Sequence, residues 1–250
     1  MPDRQPLPDA LPIGSIGPSA LAHIVDGIAR RAADEPPGPV DDTPRPGDPG
    51  HPDYHHHQRA EFALSRWRTA VPYRYRDAAA DHDEVVRWAD RAAKDVRSAG
   101  FLVLTGAIGN GKTHQAYGAL RRIAEAGPKR FEMIATTAPD LYGLLRPGGS
   151  ENSSEFELRK LCRIQLLLLD DLGTEKLSEF TEEATYRLLN ERYNECLPLI
   201  ITTNLPIRAT DGSPDLVGRL GERLASRLSQ TAIVVPFTGV DLRRHHRDAS

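Results

Sequence analysis

The loop Gly106–Thr113 constrains the fold of this chain most, because it matches G-x-x-x-x-G-K-[ST] at every position. The apolar run Phe101–Thr105 precedes it, and a segment with helical periodicity follows it. This order places the loop at a helix N-terminus, where backbone N–H groups hold phosphates. The sequence therefore predicts a nucleotide phosphate site formed by Gly106, Ala107, Ile108, Gly109, Asn110, Gly111, Lys112 and Thr113, with the Thr113 hydroxyl on Mg²⁺.

Four more apolar runs predict the remaining strands of an α/β fold. Near-continuous aliphatic stretches are typical of strands buried on both faces of a parallel sheet. We therefore expect a five-stranded parallel sheet sandwiched by helices. The further strands are Phe131–Thr136, Ile164–Leu169, Leu199–Asn204 and Ala232–Phe237, and the predicted helices include Asp83–Ser98 with Val86, Ala89, Ala93 and Val96 on one face, Ala138–Leu145, and Asp215–Gln230.

Polar side chains end two of these strands. Asp170 and Asp171 follow the aliphatic run Ile164–Leu169, at the strand end where parallel sheets bind ligands. The pair resembles a Walker B element, in which Asp170 holds Mg²⁺ and Asp171 polarises the attacking water. Two acids that cap a turn are the alternative. Asn204 either orients that water or forms the turn before Pro206.

Three arginines repeat every four residues within the predicted helix Asp215–Gln230, at Arg219, Arg223 and Arg227. Such a row is usually a solvated face. Beside a phosphate loop, it is instead a candidate finger that reaches the γ-phosphate of a neighbouring subunit. Both interpretations remain open at this stage.

Residues 58–80 mix guanidinium groups with aromatic rings. This mixture suits a single-stranded nucleic-acid surface, and it equally suits a collar packed on the next domain. The net charge of −3 does not favour nucleic-acid binding by the whole molecule, so a contact would need a local patch. The residues concerned are Arg59, Arg66, Trp67, Arg68, Tyr73, Arg74, Tyr75 and Arg76.

The N-terminal arm, residues 1–57, is rich in proline and interrupted by one amphipathic stretch, residues 19–33. The stretch places Leu21, Ile24, Val25 and Ile28 on one helix face, which either docks a partner or folds back on the domain. Neither a signal-peptide core nor a membrane-spanning apolar run is present, and neither cysteine belongs to a C-x-x-C pair. We therefore expect a reduced cytoplasmic protein without membrane contact.

Residues 58–244 as a set resemble the DnaC/IstB-type AAA+ ATPases. The matching stretches are Val71–Arg76, Gly109–His114, Asp170–Gly173, Ile201–Asn204 and Gly221–Leu228. The resemblance implies a helical collar at 58–98, an AAA+ domain at 99–240 and a basic tail at 241–250. It implies ATP and Mg²⁺ as ligands, with His114 beside the phosphate loop.

The resemblance also assigns roles to individual residues. It implies that Asn204 is the sensor, that Arg227 is an arginine finger acting in trans, and that Arg223 is a second intersubunit contact. Whether Arg243 or Arg244 is a second sensor stays open.

The implied function is that of a helicase loader, which grips a hexameric replicative helicase through the N-terminal arm and helps place it on single-stranded DNA. An IstB-like transposition helper and a nucleotide-gated adaptor without hydrolysis are the alternatives.

Overall fold

The computed structural model describes residues 22, 23, 25, 26, 43–45, 47–173 and 178–238. By contacts the chain divides into two units, Met1–Arg45 and Pro46–Ser250. In the first unit, the described residues of the predicted docking helix are helical, namely Ala22, His23, Val25 and Asp26. The rest of that helix, the tail 241–250, and the side chains of Arg223 and Leu224 lie outside the described residues.

The second unit contains the five-stranded parallel sheet that the sequence predicts. The strands are β1 (Phe101–Gly106), β2 (Met133–Thr137), β3 (Leu166–Asp170), β4 (Leu199–Thr203) and β5 (Ala232–Phe237). Their order in the sheet is β2-β3-β4-β1-β5, and every pairing is parallel. All five strands therefore end at one edge of the sheet, with Thr105 opposite Thr203 and Thr137 opposite Asp170.

Helices cover both faces of this sheet. They are α1 (Tyr54–Ala70), α2 (Asp83–Lys94), α3 (Lys112–Glu125), α4 (Ala138–Leu145), α5 (Ser154–Arg163), α6 (Glu179–Asn194), α7 (Leu216–Leu220) and α8 (Glu222–Thr231). Alternate strand residues point to opposite faces. Thus Leu102 and Leu168 pack with α1, α2 and α3, whereas Val103 and Leu169 pack with the later helices. Among the described helices, none combines the length and the apolar character needed to cross a bilayer.

The collar divides into a packed part and an exposed part. Trp67 is 2% exposed and its indole Nε1 donates to the Tyr117 carbonyl at 3.2 Å. Tyr75 stacks on Tyr117 with 4.9 Å between the ring centroids. In contrast, Phe62 is 60% exposed and Tyr73 is 82% exposed. Packing therefore accounts for some of the collar's aromatic rings and leaves others in solvent.

Helix α2 buries a face that is rotated from the predicted one: Ala89 is buried and Ala93 and Val96 pack against the core as predicted, but Val86 is not among the fully buried residues. The buried residues are Val85, Trp88, Ala89 and Ala92, and the helix ends at Lys94 rather than Ser98. The Trp88 ring buries more apolar area than a valine or alanine does, so its burial stabilises this orientation. Its indole also donates to the Gly100 carbonyl at 3.3 Å.

The prediction of a single helix at Asp215–Gln230 is wrong, because Gly221 separates α7 from α8. Gly221 has a φ of 79°, a left-handed conformation that glycine adopts without steric cost. Arg219 therefore lies on α7, whereas Arg223 and Arg227 lie on α8. The three arginines do not form one continuous row.

Helix α5 was not predicted from the sequence, although its ends carry recognisable signals. The Ser153 hydroxyl accepts from the Phe156 backbone N–H at 3.2 Å and so caps the first turn. After α5, the buried Arg192 of α6 donates to the carbonyls of Leu161 and Ile164 at 2.9 and 2.8 Å. Arg192 thereby fixes the chain that enters β3.

Candidate functional site

The phosphate loop joins β1 to α3 at the carboxyl edge of the sheet. Gly109 and Gly111 have φ values of 89° and 83°, so side chains at these positions would strain the loop. The Asn110 amide Nδ2 donates to the Phe237 carbonyl at 3.0 Å and ties the loop to the end of β5. The loop is therefore shaped by its glycines and anchored to the sheet by Asn110.

Lys112 lies at the start of α3 and is only 5% exposed. Its Nζ donates to the carbonyls of Gly106 and Ala107, both at 2.7 Å, and to Asn204 Oδ1 at 3.0 Å. These acceptors match the three donors of an ammonium group. They are neutral, so an anionic phosphate oxygen would be a stronger partner for this buried cation.

The start of α3 and the end of β3 meet through two side chains. The Thr113 hydroxyl donates to Asp170 Oδ1 at 3.0 Å, and the Thr202 hydroxyl donates to the same oxygen at 2.5 Å. Burial raises the pKa of Asp170 above its ordinary value, against the lowering effect of both hydroxyls. A hydroxyl and a carboxylate oxygen so close together suit Mg²⁺, which is usually held by one or two carboxylates, water and substrate phosphates.

Asp171 and Asn204 directly follow the neighbouring strands β3 and β4. Asp171 has a φ of 58°, and its backbone N–H donates to the Thr202 hydroxyl at 2.9 Å. Asn204 follows β4, and its contact with Lys112 places it at the phosphate loop rather than in an isolated turn. The neighbours Lys112 and Thr113 thus donate to Asn204 and Asp170 respectively, and Asp171 follows Asp170 in sequence; together these residues form the group around Lys112.

Thr202 is the residue that the sequence reasoning missed. It bridges Asp170 and Asp171, because it donates to the first and accepts from the second. It is completely buried at the carboxyl end of β4. A threonine near the end of an aliphatic strand was the available signal.

His114 contributes differently from the other residues of the predicted nucleotide site. Its Nε2 accepts from the Ala79 backbone N–H at 3.3 Å, so its side chain contacts the segment before α2. Backbone N–H groups in the first turn of a helix have no partner within the helix. Any contribution of His114 to phosphate binding therefore comes from its backbone.

The predicted arginine finger contacts its own subunit. The Arg227 guanidinium lies over the Tyr193 ring, 5.2 Å from the centroid. Its Nη1 is buried and has no hydrogen-bond partner among the described residues. No contact joins Arg227 to the group formed by Lys112 and Asp170 in the described part of the chain, and Arg243 and Arg244 lie outside it.

We expect Asp170→Asn to stabilise the protein in the absence of nucleotide. A raised acid pKa means that the ionised form opposes folding above the pKa of the unfolded chain, so at pH 7 the amide removes this penalty. The melting temperature of Asp170→Asn should therefore be higher than that of wild type. Asp90→Asn is the control with opposite sign, because Arg122 lowers the pKa of Asp90. A lower melting temperature for Asp170→Asn would contradict the argument.

The chain is similar in sequence to several known proteins. A putative ATP-binding protein in an insertion sequence of Mycobacterium tuberculosis is 27% identical over 165 residues, which cover 65% of this chain and 60% of that protein. The chromosomal replication initiator protein DnaA of Gloeobacter violaceus is 31% identical over 141 residues, covering 53% of this chain and 28% of that protein. The chain thus spans less than two thirds of the length of either relative.

Among solved structures, that of the DnaC helicase loader matches with a TM-score of 0.55 and 24% identity, covering 67% of this chain and all of that one. This likeness confirms the predicted AAA+ P-loop fold. The family described as IstB-like ATP binding protein matches residues 55–250. This match covers most of the sequence and includes every residue of the group around Lys112. The chain belongs to the family of IstB-like ATP binding proteins.

Proposed function

We propose that the protein is a cytoplasmic, Mg²⁺-dependent ATPase that assembles with itself on single-stranded DNA and delivers a protein partner to that DNA. The observation that carries the proposal is that hydrogen bonds join the phosphate loop to the ends of β3 and β4. Thr113 donates to Asp170, and Lys112 donates to Asn204. The sequence separates these residues widely, and the parallel sheet brings them to one edge. Their chemistry matches what phosphoryl transfer to water requires.

Hydrolysis forms a bond between a water oxygen and the γ-phosphorus and breaks the bond to the oxygen that bridges the β- and γ-phosphates. Asp171 accepts the proton that the water loses, and Asn204 orients the water. Lys112 stabilises the negative charge that accumulates on the phosphate oxygens. Bound Mg²⁺, held by Thr113 and Asp170, would supply further neutralisation of that charge.

The direct test is phosphate release from ATP, with and without Mg²⁺, in wild type and Asp171→Asn. Loss of a general base typically slows a reaction by about 10²–10⁴-fold. We expect the variant to bind ATP normally and to release phosphate at least a hundredfold more slowly. If wild type and variant both stay at the background rate with DNA present, the protein is a nucleotide-gated adaptor rather than an enzyme.

We place Arg227 in the active site of the neighbouring subunit. Its Nη1 is buried and lacks a hydrogen-bond partner among the described residues, which is costly for a charged group; rotation of the side chain away from Tyr193 would let this nitrogen donate to a phosphate. An arginine finger contributes about 10³–10⁵-fold to turnover. Arg227→Ala should therefore keep its ATP affinity and lose about a thousandfold in hydrolysis.

A mixing experiment separates action in trans from a structural role. Lys112→Ala retains Arg227 but lacks the phosphate-binding lysine, and Arg227→Ala has the converse defect. Neither variant alone should hydrolyse ATP, and their mixture should regain activity where a wild-type finger meets an intact phosphate loop. Co-purification of the two variants verifies that they assemble. No recovery in a verified mixed assembly would show that Arg227 acts within its own subunit.

A hexameric replicative helicase is the first candidate for the delivered partner. The fold that the chain shares with the DnaC helicase loader supports this candidate. In this proposal, the part of the predicted arm that precedes α1 contacts the helicase.

A transposase is the second candidate, and a specific observation favours it. The relative in Mycobacterium tuberculosis is a protein of an insertion sequence, and it matches 65% of this chain. Affinity capture with ATP and DNA, using purified helicase and transposase from the same host in competition, distinguishes the two. Retention of helicase alone supports the first candidate, and retention of transposase alone supports the second.

A further inference from the structure

A groove of about 650 Å³ lies between α1 and the connection from α3 to β2, away from the group around Lys112. Four cationic side chains and one carboxylate line it, together with one exposed aromatic ring. These residues are Arg59, Arg66, Lys129, Arg130, Glu132 and Phe62. The groove is therefore locally positive in a chain whose net charge is −3.

The two walls of the groove are fixed to each other. The Arg59 Nε donates to the Gly127 carbonyl at 3.0 Å, and a ring nitrogen of His56 lies 3.0 Å from the Ala126 carbonyl. Both contacts join α1 to the end of α3. These two hydrogen bonds hold the walls of the groove together.

The positive charge in the groove is only partly compensated. Arg130 pairs with Glu132 at 2.6 Å, and this contact lowers the pKa of Glu132, with a smaller contribution from Arg66. Neither Arg66 nor Lys129 makes an ion pair with a carboxylate among the described residues. The lining thus keeps cations available for an anionic ligand.

Phe62 adds a stacking surface to these charges. Its ring is 60% exposed, and the Arg66 guanidinium lies over it, 5.8 Å from the centroid. The same arrangement recurs at Tyr73, which is 82% exposed and carries Arg76 at 4.9 Å. Exposed rings beside arginines suit unpaired bases, which stack on the ring while the phosphates pair with the cations.

We propose that this groove binds single-stranded nucleic acid by stacking a base on Phe62 and pairing phosphates with Arg66 and Lys129. The inference rests on the proposed function, because it names the surface through which the assembly contacts DNA. Phe62 favours a single strand over a duplex, since stacked and paired bases cannot reach the ring. It also favours nucleic acid over an acidic protein segment, which would use the cations alone.

Residues 55, 59, 62 and 66 lie on one face of α1, spaced 4, 3 and 4 apart. At about 1.5 Å per residue, this face is about 16 Å long and spans a few nucleotides. We expect the groove to contact a short stretch of the strand and to be repeated in each subunit of an assembly.

The test measures binding of a fluorescein-labelled oligothymidine to the full chain with a non-hydrolysable ATP analogue, across a salt series. Phe62→Ala should weaken binding by about tenfold without changing the salt dependence, because it removes a stacking contact. The double variant Arg66→Gln/Lys129→Gln should weaken binding and flatten the plot of log K against log salt by about 1.4, at about 0.7 per phosphate of a single strand.

Matched controls come from α5, where Phe156 is 55% exposed and Arg159 is an exposed arginine. Phe156→Ala and Arg159→Gln should bind the oligonucleotide as wild type does, and melting temperatures verify that all variants fold. If the groove variants bind the oligonucleotide with wild-type affinity, the groove is not the binding surface. The proposal that the protein binds DNA would still stand.

Two further outcomes would also overturn the proposal. The first is that polyglutamate displaces the oligonucleotide as well as unlabelled oligonucleotide does, while Phe62→Ala binds as wild type does. This result would indicate an acidic protein partner. The other is failure of wild type to bind any oligonucleotide, which would reject the DNA part of the proposed function as well. Phosphate release by wild type, measured separately, reports on the ATPase part alone.

Discussion

Lys112→Ala is expected to lower ATP affinity by at least a hundredfold. Lys112 is 5% exposed and its ammonium is surrounded by oxygens of Gly106, Ala107 and Asn204. The nucleotide's phosphates would enter a buried site whose cation has been removed. Loss of one partner of a buried charged pair costs about 3–5 kcal/mol, which corresponds to a loss of affinity of about a hundredfold to several thousandfold.

Titration with a fluorescent ATP analogue measures this loss. Lys160→Ala is the matched control, because Lys160 lies on α5, is 54% exposed and pairs with Glu157 at 3.5 Å. The control should bind ATP with unchanged affinity. Retained affinity in Lys112→Ala, with the fold verified by circular dichroism, would reject the phosphate-loop assignment.

Gly118→Ala is expected to destabilise the protein by about 1–3 kcal/mol or more, through overpacking between α3 and the segment before α2. A Cβ at this position would lie 2.3 Å from both the Ala79 carbonyl carbon and the Ala80 nitrogen. Both atoms belong to the backbone, so neither can move away by rotation of a side chain. The segment would have to separate from α3.

The same segment is held by hydrogen bonds from α3. Gln115 Oε1 accepts from the backbone N–H groups of Asp81 and His82 at 3.1 and 3.2 Å. Because Gln115 and His114 directly follow the phosphate loop, we expect Gly118→Ala also to weaken ATP binding. An intact ATP affinity together with a large loss of stability would show that the segment is not coupled to the loop.

Gly143→Ala provides the control for helix propensity. Gly143 lies in α4, and a Cβ there would meet nothing within 4 Å. Alanine is favoured over glycine in a helix by about 0.5–1 kcal/mol, so this variant should be slightly more stable than wild type. Urea denaturation measures the free energy of unfolding of both variants, which should fall below that of wild type for Gly118→Ala and rise above it for Gly143→Ala. Equal effects would mean that the contact at Gly118 is not rigid.

The strands were predictable because each of them contains a run of consecutive apolar, mostly aliphatic residues. A strand buried on both faces must be aliphatic throughout, as Leu166–Leu169 and Leu199–Ile201 are. Helix orientation was less predictable. In α2 the competition between Trp88 and its aliphatic neighbours is decided by the surface that the helix covers, which the local sequence does not contain.

The phosphate loop was determined by the sequence alone. The glycines of Gly106–Thr113 and the lysine at its end are required by local backbone geometry and by phosphate chemistry, and neither depends on distant residues. The roles of Asp170 and Asn204 were suggested by their positions at strand ends.

Only the tertiary structure decided how these residues meet. Parallel pairing of β1 with β4 and of β3 with β4 brings Lys112 to Asn204 and Thr113 to Asp170, and it makes the unpredicted Thr202 the bridge between the two acids. It also separates the buried Trp67 from the exposed Phe62, although both belong to the same helix. Contacts of this kind join residues far apart in the chain, and strand order and packing, rather than local propensity, determine them.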